Sequence, residues 1–153
     1  MTVLYVKKII RTSLLFVLSL FLYAIGKEDF KFNVISDKNI FGSCVTGILI
    51  MIIKGKISVE NIICGFITIT LFFVISVIFI PGSFGGGDVK LFMCSSLFLG
   101  MNVWKVFVIT FFCAFPFAFF NIVKGKKEKH IPVGPYISFG IFIESLLFLY
   151  GLT

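Results

Sequence analysis

The residues best placed to do chemistry are carboxylates standing where water is scarce. Asp88 follows three glycines, Gly85, Gly86 and Gly87, and apolar stretches flank it at 62–81 and 91–99. An ionisable group in that setting is costly and calls for a partner or a function. Asp29 and Asp37, both in the polar segment 27–38, are the candidate partners. Two carboxyls held in one site share a proton. The ionised one can take a proton from water as that water attacks a peptide carbonyl, while the protonated one polarises the carbonyl oxygen. Such chemistry needs no metal, no cofactor and no Ser or Cys nucleophile. The three glycines present no side chain to block close approach and allow unusual backbone angles, so an extended substrate strand can lie against them. The plainer alternative is a flexible Gly-rich link with Asp88 as a helix N-cap. Lys90, two residues on, does not share a helical face with Asp88 and can reach up to lipid head groups.

The remaining acids divide by surroundings. Glu28, Glu60 and Glu128 have lysines nearby and read as solvated. Glu144 falls in the middle of an apolar run. It reads first as a neutral carboxyl facing the bundle interior, hydrogen-bonded to a neighbouring helix. Lining a wet catalytic cavity is its second reading. His130, the one histidine, lies in a basic link and reads as a surface residue.

The elements that must position these groups follow from composition. Of 153 residues 59% are hydrophobic, 22 are phenylalanine and only 14% are charged, which argues for a membrane protein. Six spans are expected: residues 9–26, 39–53, 62–80, 88–100, 103–123 and 137–152. The β-branched third span must be helical, because a lone strand in lipid leaves its backbone groups unpaired. Pro116 is expected to kink the fifth. The expected fold is all-α: a single membrane-embedded domain over 1–153, a polytopic six-helix bundle. Lys7, Lys8 and Arg11 ahead of an apolar run could mark a cleaved leader, but the later spans favour a retained first helix.

Six spans put the segments holding Asp29, Asp37 and Asp88 on one membrane face. Lysines and arginines divide eight to six in favour of that face being cytoplasmic, although the Lys7–Arg11 cluster argues the other way. The net charge of +7 is explained by contact with anionic lipid, not nucleic acid. Cys44, Cys64, Cys94 and Cys113 lie singly in apolar runs with no Cys-x-x-Cys pair, so they read as buried thiols and no zinc site is expected.

At these residues the chain resembles the type IV prepilin peptidase family, the Gly-x-Gly-Asp membrane aspartic proteases. Three blocks carry the resemblance. Asp29, five residues and then Ile35-Ser36-Asp37 are similar to the family's Asp, five residues and Ile-Pro-Asn or Ile-Pro-Asp. Gly85-Gly86-Gly87-Asp88-Val89-Lys90-Leu91 is similar to Gly-x-Gly-Asp-Val-Lys-Leu. Pro132-Val133-Gly134-Pro135 is similar to the Pro-Phe-Gly-Pro that precedes the last helix. Ser36 stands where the family usually has proline. The resemblance implies that Asp29 and Asp88 form the catalytic pair, with Asp37 the lesser candidate. Gly85, Gly86, Gly87, Lys90, Pro132, Gly134 and Pro135 would support the site. It implies an intramembrane aspartic endopeptidase without cofactor, removing the basic leader of type IV pilin-like precursors at the cytoplasmic face of the plasma membrane. Larger members add paired Cys-x-x-Cys motifs and methylate the new N-terminus; this chain resembles the short, peptidase-only forms. The Tyr-Asp and Pro-Ala-Leu blocks of presenilin-like proteases do not occur. The rival reading is non-enzymatic: a small channel, carrier or assembly subunit with Asp88 and Glu144 lining a polar path.

Overall fold

The computed structural model describes residues 2–55, 58–79, 85–123 and 132–150. Every regular element among them is helical: α1 (Thr2–Phe32), α2 (Asp37–Lys54), α3 (Val59–Phe79), α4 (Gly86–Leu99), a 3₁₀ turn (Gly100–Asn102), α5 (Val103–Val123) and α6 (Gly134–Tyr150). Three helical stretches are long and apolar enough to cross a membrane: Tyr5–Phe32, Val59–Ile78 and Gly86–Phe120, the last interrupted by the 3₁₀ turn. α6 is apolar but shorter. Against the six expected spans, three such stretches stand among the described residues, the third taking in the expected fourth and fifth spans, so the count of six is not established by length.

Helix ends differ from expectation most at α1. The segment 27–32, expected as a polar link, continues the helix. Its charged residues lower hydropathy, but Lys and Glu are good helix formers. The helix stops at Asn33, whose φ of 52° is left-handed, a conformation Asn tolerates better than most residues. The Asn33 N–H closes the last turn on the Asp29 carbonyl at 2.8 Å. α2 starts after Ser36, which has extended backbone, and ends at Gly55 with φ 71°, its N–H bonding to the carbonyls of Met51 and Ile52.

Cross-helix contacts show that consecutive helices run in opposite directions. Arg11 donates to the Ile53 carbonyl while Glu28, far along α1, meets Asn39 at the start of α2. Asn61 near the start of α3 accepts from the Met101 N–H, and Phe73 packs on Phe92. Lys105 near the start of α5 reaches Glu144, and Phe117 meets Tyr136. One end of the bundle thus gathers the end of α1 and the starts of α2, α4 and α6. The opposite end gathers the 3₁₀ turn, the end of α2 and the end of α6.

Small residues let these helices meet closely, as membrane helices require when lipid removes the hydrophobic drive to associate. A Cβ on Gly42 would collide with the Phe21 ring, one on Gly47 with Phe98, and one on Gly65 with the Gly100 backbone. Phe72, Phe73, Phe92, Trp104 and Phe107 form an aromatic cluster joining α3, α4 and α5. At the opposite end cations satisfy helix C-termini: Arg11 bonds the Ile53 carbonyl at 3.0 Å and Lys54 bonds the Phe148 carbonyl.

Candidate active site

Asp29 lies in the last turn of α1, 6% exposed. Three residues before it on the same face, Gly26 meets α6: a Cβ there would sit 3.3 Å from the Pro135 Cα. That approach brings the Gly134 N–H to 2.8 Å from Asp29 Oδ2, a bond spanning 105 residues of sequence. Gly134 opens α6, and a Cβ at Gly134 would come within 2.8 Å of both Asp29 Cβ and Oδ2. Pro135 sits in the first turn of α6, where its missing N–H is harmless. Pro132 is half-buried just before that helix.

Asp88 is 8% exposed and occupies the third position of α4. Gly85 is the N-cap, so Asp88 itself is not. Instead the Asp88 carboxylate turns back to the Gly85 backbone, as the third residue of a capping box does. A Cβ on Gly85 would stand 3.1 Å from Asp88 Oδ2. The other oxygen, Oδ1, is buried and has no hydrogen-bond partner among the described residues. The Asp88 and Asp29 carboxyls are near enough to act on each other electrostatically.

Among the described residues only Gly55 and Gly100 of the glycines have positive φ, so 85–87 adopt no unusual backbone angles. Their value is space. A Cβ on Gly87 would stand 3.0 Å from the Ile35 Cβ, whereas one on Gly86 would meet nothing within 4 Å. Gly87 therefore seats Ile35, from the link after Asp29, on the start of Asp88's helix. Gly86 leaves that helix open on its outer side.

Asp37 is placed differently from Asp29. It is exposed and ion-paired with Lys90, whose Nζ lies 2.8 and 3.1 Å from its two carboxylate oxygens. Lys90 thus holds a carboxylate, not a head group, and ties the starts of α2 and α4 together at the surface.

Two acids are corrected. Glu28, expected to be solvated beside Lys27, is half-buried: its Oε2 accepts the Ser36 N–H at 3.1 Å and its Oε1 accepts from Asn39 Nδ2 at 2.8 Å. Glu144 is buried in the bundle as expected, but its partner on the neighbouring helix is a cation and not a hydrogen-bonding group: Lys105 Nζ lies 3.5 Å from Oε1, and neither carboxylate oxygen has a hydrogen-bond partner among the described residues. Glu128 and His130 fall outside the described residues. No group of three or more His, Cys, Asp or Glu side chains among the described residues could hold a metal.

A groove of about 540 Å³ runs between α1 and α6, with Gly26 and Pro135 toward the aspartate end and Phe139 and Phe142 farther along.

The type IV leader peptidase family model matches residues 16–123, a stretch that includes both Asp29 and Asp88. No curated protein and no solved structure matches the chain. The match ends before α6, yet α6 contributes the N–H that holds Asp29, so the last helix completes what the matched segment begins. With more than half of its length matched, and two buried aspartates gathered at one end of an apolar helical bundle, the chain belongs to the type IV leader peptidase family.

Proposed function

We propose that this chain is an aspartic endopeptidase that cleaves the short basic leader from type IV pilin-like precursors, working at the cytoplasmic face of the membrane. The observation that carries this reading is the placement of Asp29 and Asp88, 59 positions apart in sequence, as buried carboxyls at the same end of the bundle, with Ile35 from the link after Asp29 seated on Gly87 beside Asp88.

Each group has a task. The Gly134 N–H orients Asp29, and the Gly85 backbone orients Asp88 through one oxygen. Asp88 Oδ1 is then the acceptor with capacity to spare for the attacking water. One carboxylate removes the proton from water as the oxygen adds to the scissile carbonyl. The protonated partner donates to the carbonyl oxygen; the first carboxyl then passes the proton it took from water to the leaving amine as the C–N bond breaks, and the partner takes back a proton from the gem-diol hydroxyl as the carbonyl re-forms. Gly86, open on its outer side, lets an extended substrate strand approach the start of α4. The precursor's apolar helix docks against the bundle and its basic leader reaches the aspartate end.

The test is to co-express the chain with a precursor carrying a basic leader and an apolar helix, and to read the product's N-terminus by mass spectrometry. Cleavage at the junction of leader and helix is expected. An intact precursor, or cleavage that persists in Asp88→Asn, would refute the proposal. The channel reading relies on Glu144 as a second polar lining group, and the pairing of Glu144 with Lys105 supports a structural role for it.

A further inference from the structure

Accepting the proteolytic reading above, we infer that Glu28 is a positioning residue that sets where Asp29 stands relative to Asp88. Glu28 directly precedes Asp29 in the last turn of α1. Its carboxylate spans the link to α2, taking the Ser36 N–H on one oxygen at 3.1 Å and Asn39 Nδ2 on the other at 2.8 Å. The link between these anchors is short and contains the left-handed Asn33, so its course is determined once both ends are held. Within it, Ile35 is 8% exposed and seats against Gly87. Gly87 is the residue before Asp88. The chain of contact therefore runs from Glu28 through the link to Ile35, from Ile35 to Gly87, and so to Asp88.

Three helices meet through this clamp. α1 carries Asp29, α4 carries Asp88, and the start of α2 is the strut between them. The exposed Asp37–Lys90 pair runs parallel to the strut on the outside, but both its side chains are solvent-accessible, so it holds weakly. Glu28 is half-buried and its two bonds are charge-assisted, which makes it the stiffer tie. Releasing it lets α1 and α4 shift relative to each other, and a shift near 1 Å at a reacting pair is enough to slow chemistry about 100-fold.

The test uses the full chain in lipid nanodiscs and a purified precursor with a basic leader and an apolar helix. Glu28→Ala is expected to lower kcat at least about tenfold with KM within about twofold, because positioning is expressed in the chemical step. Glu28→Gln is expected to restore kcat to within about threefold: the amide oxygen still accepts from Ser36, and Asn39 can flip to accept from the amide NH₂. Asn39→Ala, which removes one of the two anchors, should fall between them; if Glu28→Ala does not accumulate, this variant carries the test. An unchanged kcat in Glu28→Ala, or in Asn39→Ala where that variant stands in for it, overturns the inference. So does a Glu28→Gln as slow as Glu28→Ala, or a loss confined to KM, which would make Glu28 a contact for the basic leader. A wild-type chain that leaves the precursor intact refutes the proteolytic reading itself, a different outcome from any of these.

Discussion

At the scale of single residues, the site depends on where side chains are missing. Gly134 and Gly87 each sit against another part of the site, and Gly86 does not. Gly134→Ala should be the most damaging of the three. Its Cβ must displace Asp29, an overpacking cost of about 1–3 kcal/mol, and the shift should lower processing about 100-fold. Gly87→Ala should push Ile35 away by a few tenths of an ångström and give an intermediate defect. Gly86→Ala should leave thermal stability unchanged and raise KM a few-fold, since its open side is where substrate would lie. A precursor-processing time course with thermal unfolding in detergent distinguishes the three. Asp37→Ala removes an exposed ion pair worth about 0–1 kcal/mol and should leave processing within about threefold of wild type. The sequence made part of this legible. Asp88 stood out because a carboxylate between long apolar runs is expensive, whereas Asp29, in a polar segment with Asp37, was preferred only through the spacing of the family resemblance. Glu28 was hidden, because its neighbour Lys27 suggested solvation while its partners lie eight and eleven residues ahead. The bond from Gly134 to Asp29 was beyond local reading altogether, since only the packing of α6 on α1 creates it.

At the scale of elements, the two ends of the bundle are held by different means. Near the aspartates, close backbone approach and short hydrogen bonds join α1, α2, α4 and α6. Deeper in, the Lys105–Glu144 pair ties α5 to α6. Lys105→Ala strands a buried carboxylate and should destabilise the protein by about 2–3 kcal/mol, toward the low end for a buried pair because Lys105 is half-exposed. Adding Glu144→Gln should recover most of that loss, and denaturant unfolding in detergent micelles measures both. A Lys105→Ala variant as stable as wild type would show that the pair contributes nothing. Among the described residues a helix stands at each expected apolar run, but hydropathy misjudged where α1 ends. Residues 27–32 look like a link because they are charged, yet hydrogen bonding carries the helix on to Asn33. Hydropathy reports the solvent that a segment meets, whereas helix termination is decided by backbone conformation.

At the scale of the whole molecule, alternation of helix direction is what brings acids distant in sequence to one end. α4 has 14 residues, about 21 Å of helix, against a hydrocarbon layer of about 30 Å. A helix that short cannot span an undistorted bilayer, so its start, with Asp88, would lie below the membrane surface or the bilayer would thin around it. Topology is testable by labelling single cysteines in a background lacking the native four. Residues 38 and 90 should label from one face of sealed vesicles, and residues 55 and 101 from the other. Labelling of 38 and 55 from the same face would mean that α2 does not cross, and the six-span arrangement would fail. The most direct test of the central claim is precursor cleavage by the purified chain carrying Asp29→Asn or Asp88→Asn, with Asp37→Asn as control. Each of the first two, folded as judged by wild-type unfolding behaviour, should lose at least about 1,000-fold in kcat/KM, while the control cleaves normally. Retention of cleavage by either Asp29→Asn or Asp88→Asn would contradict the account.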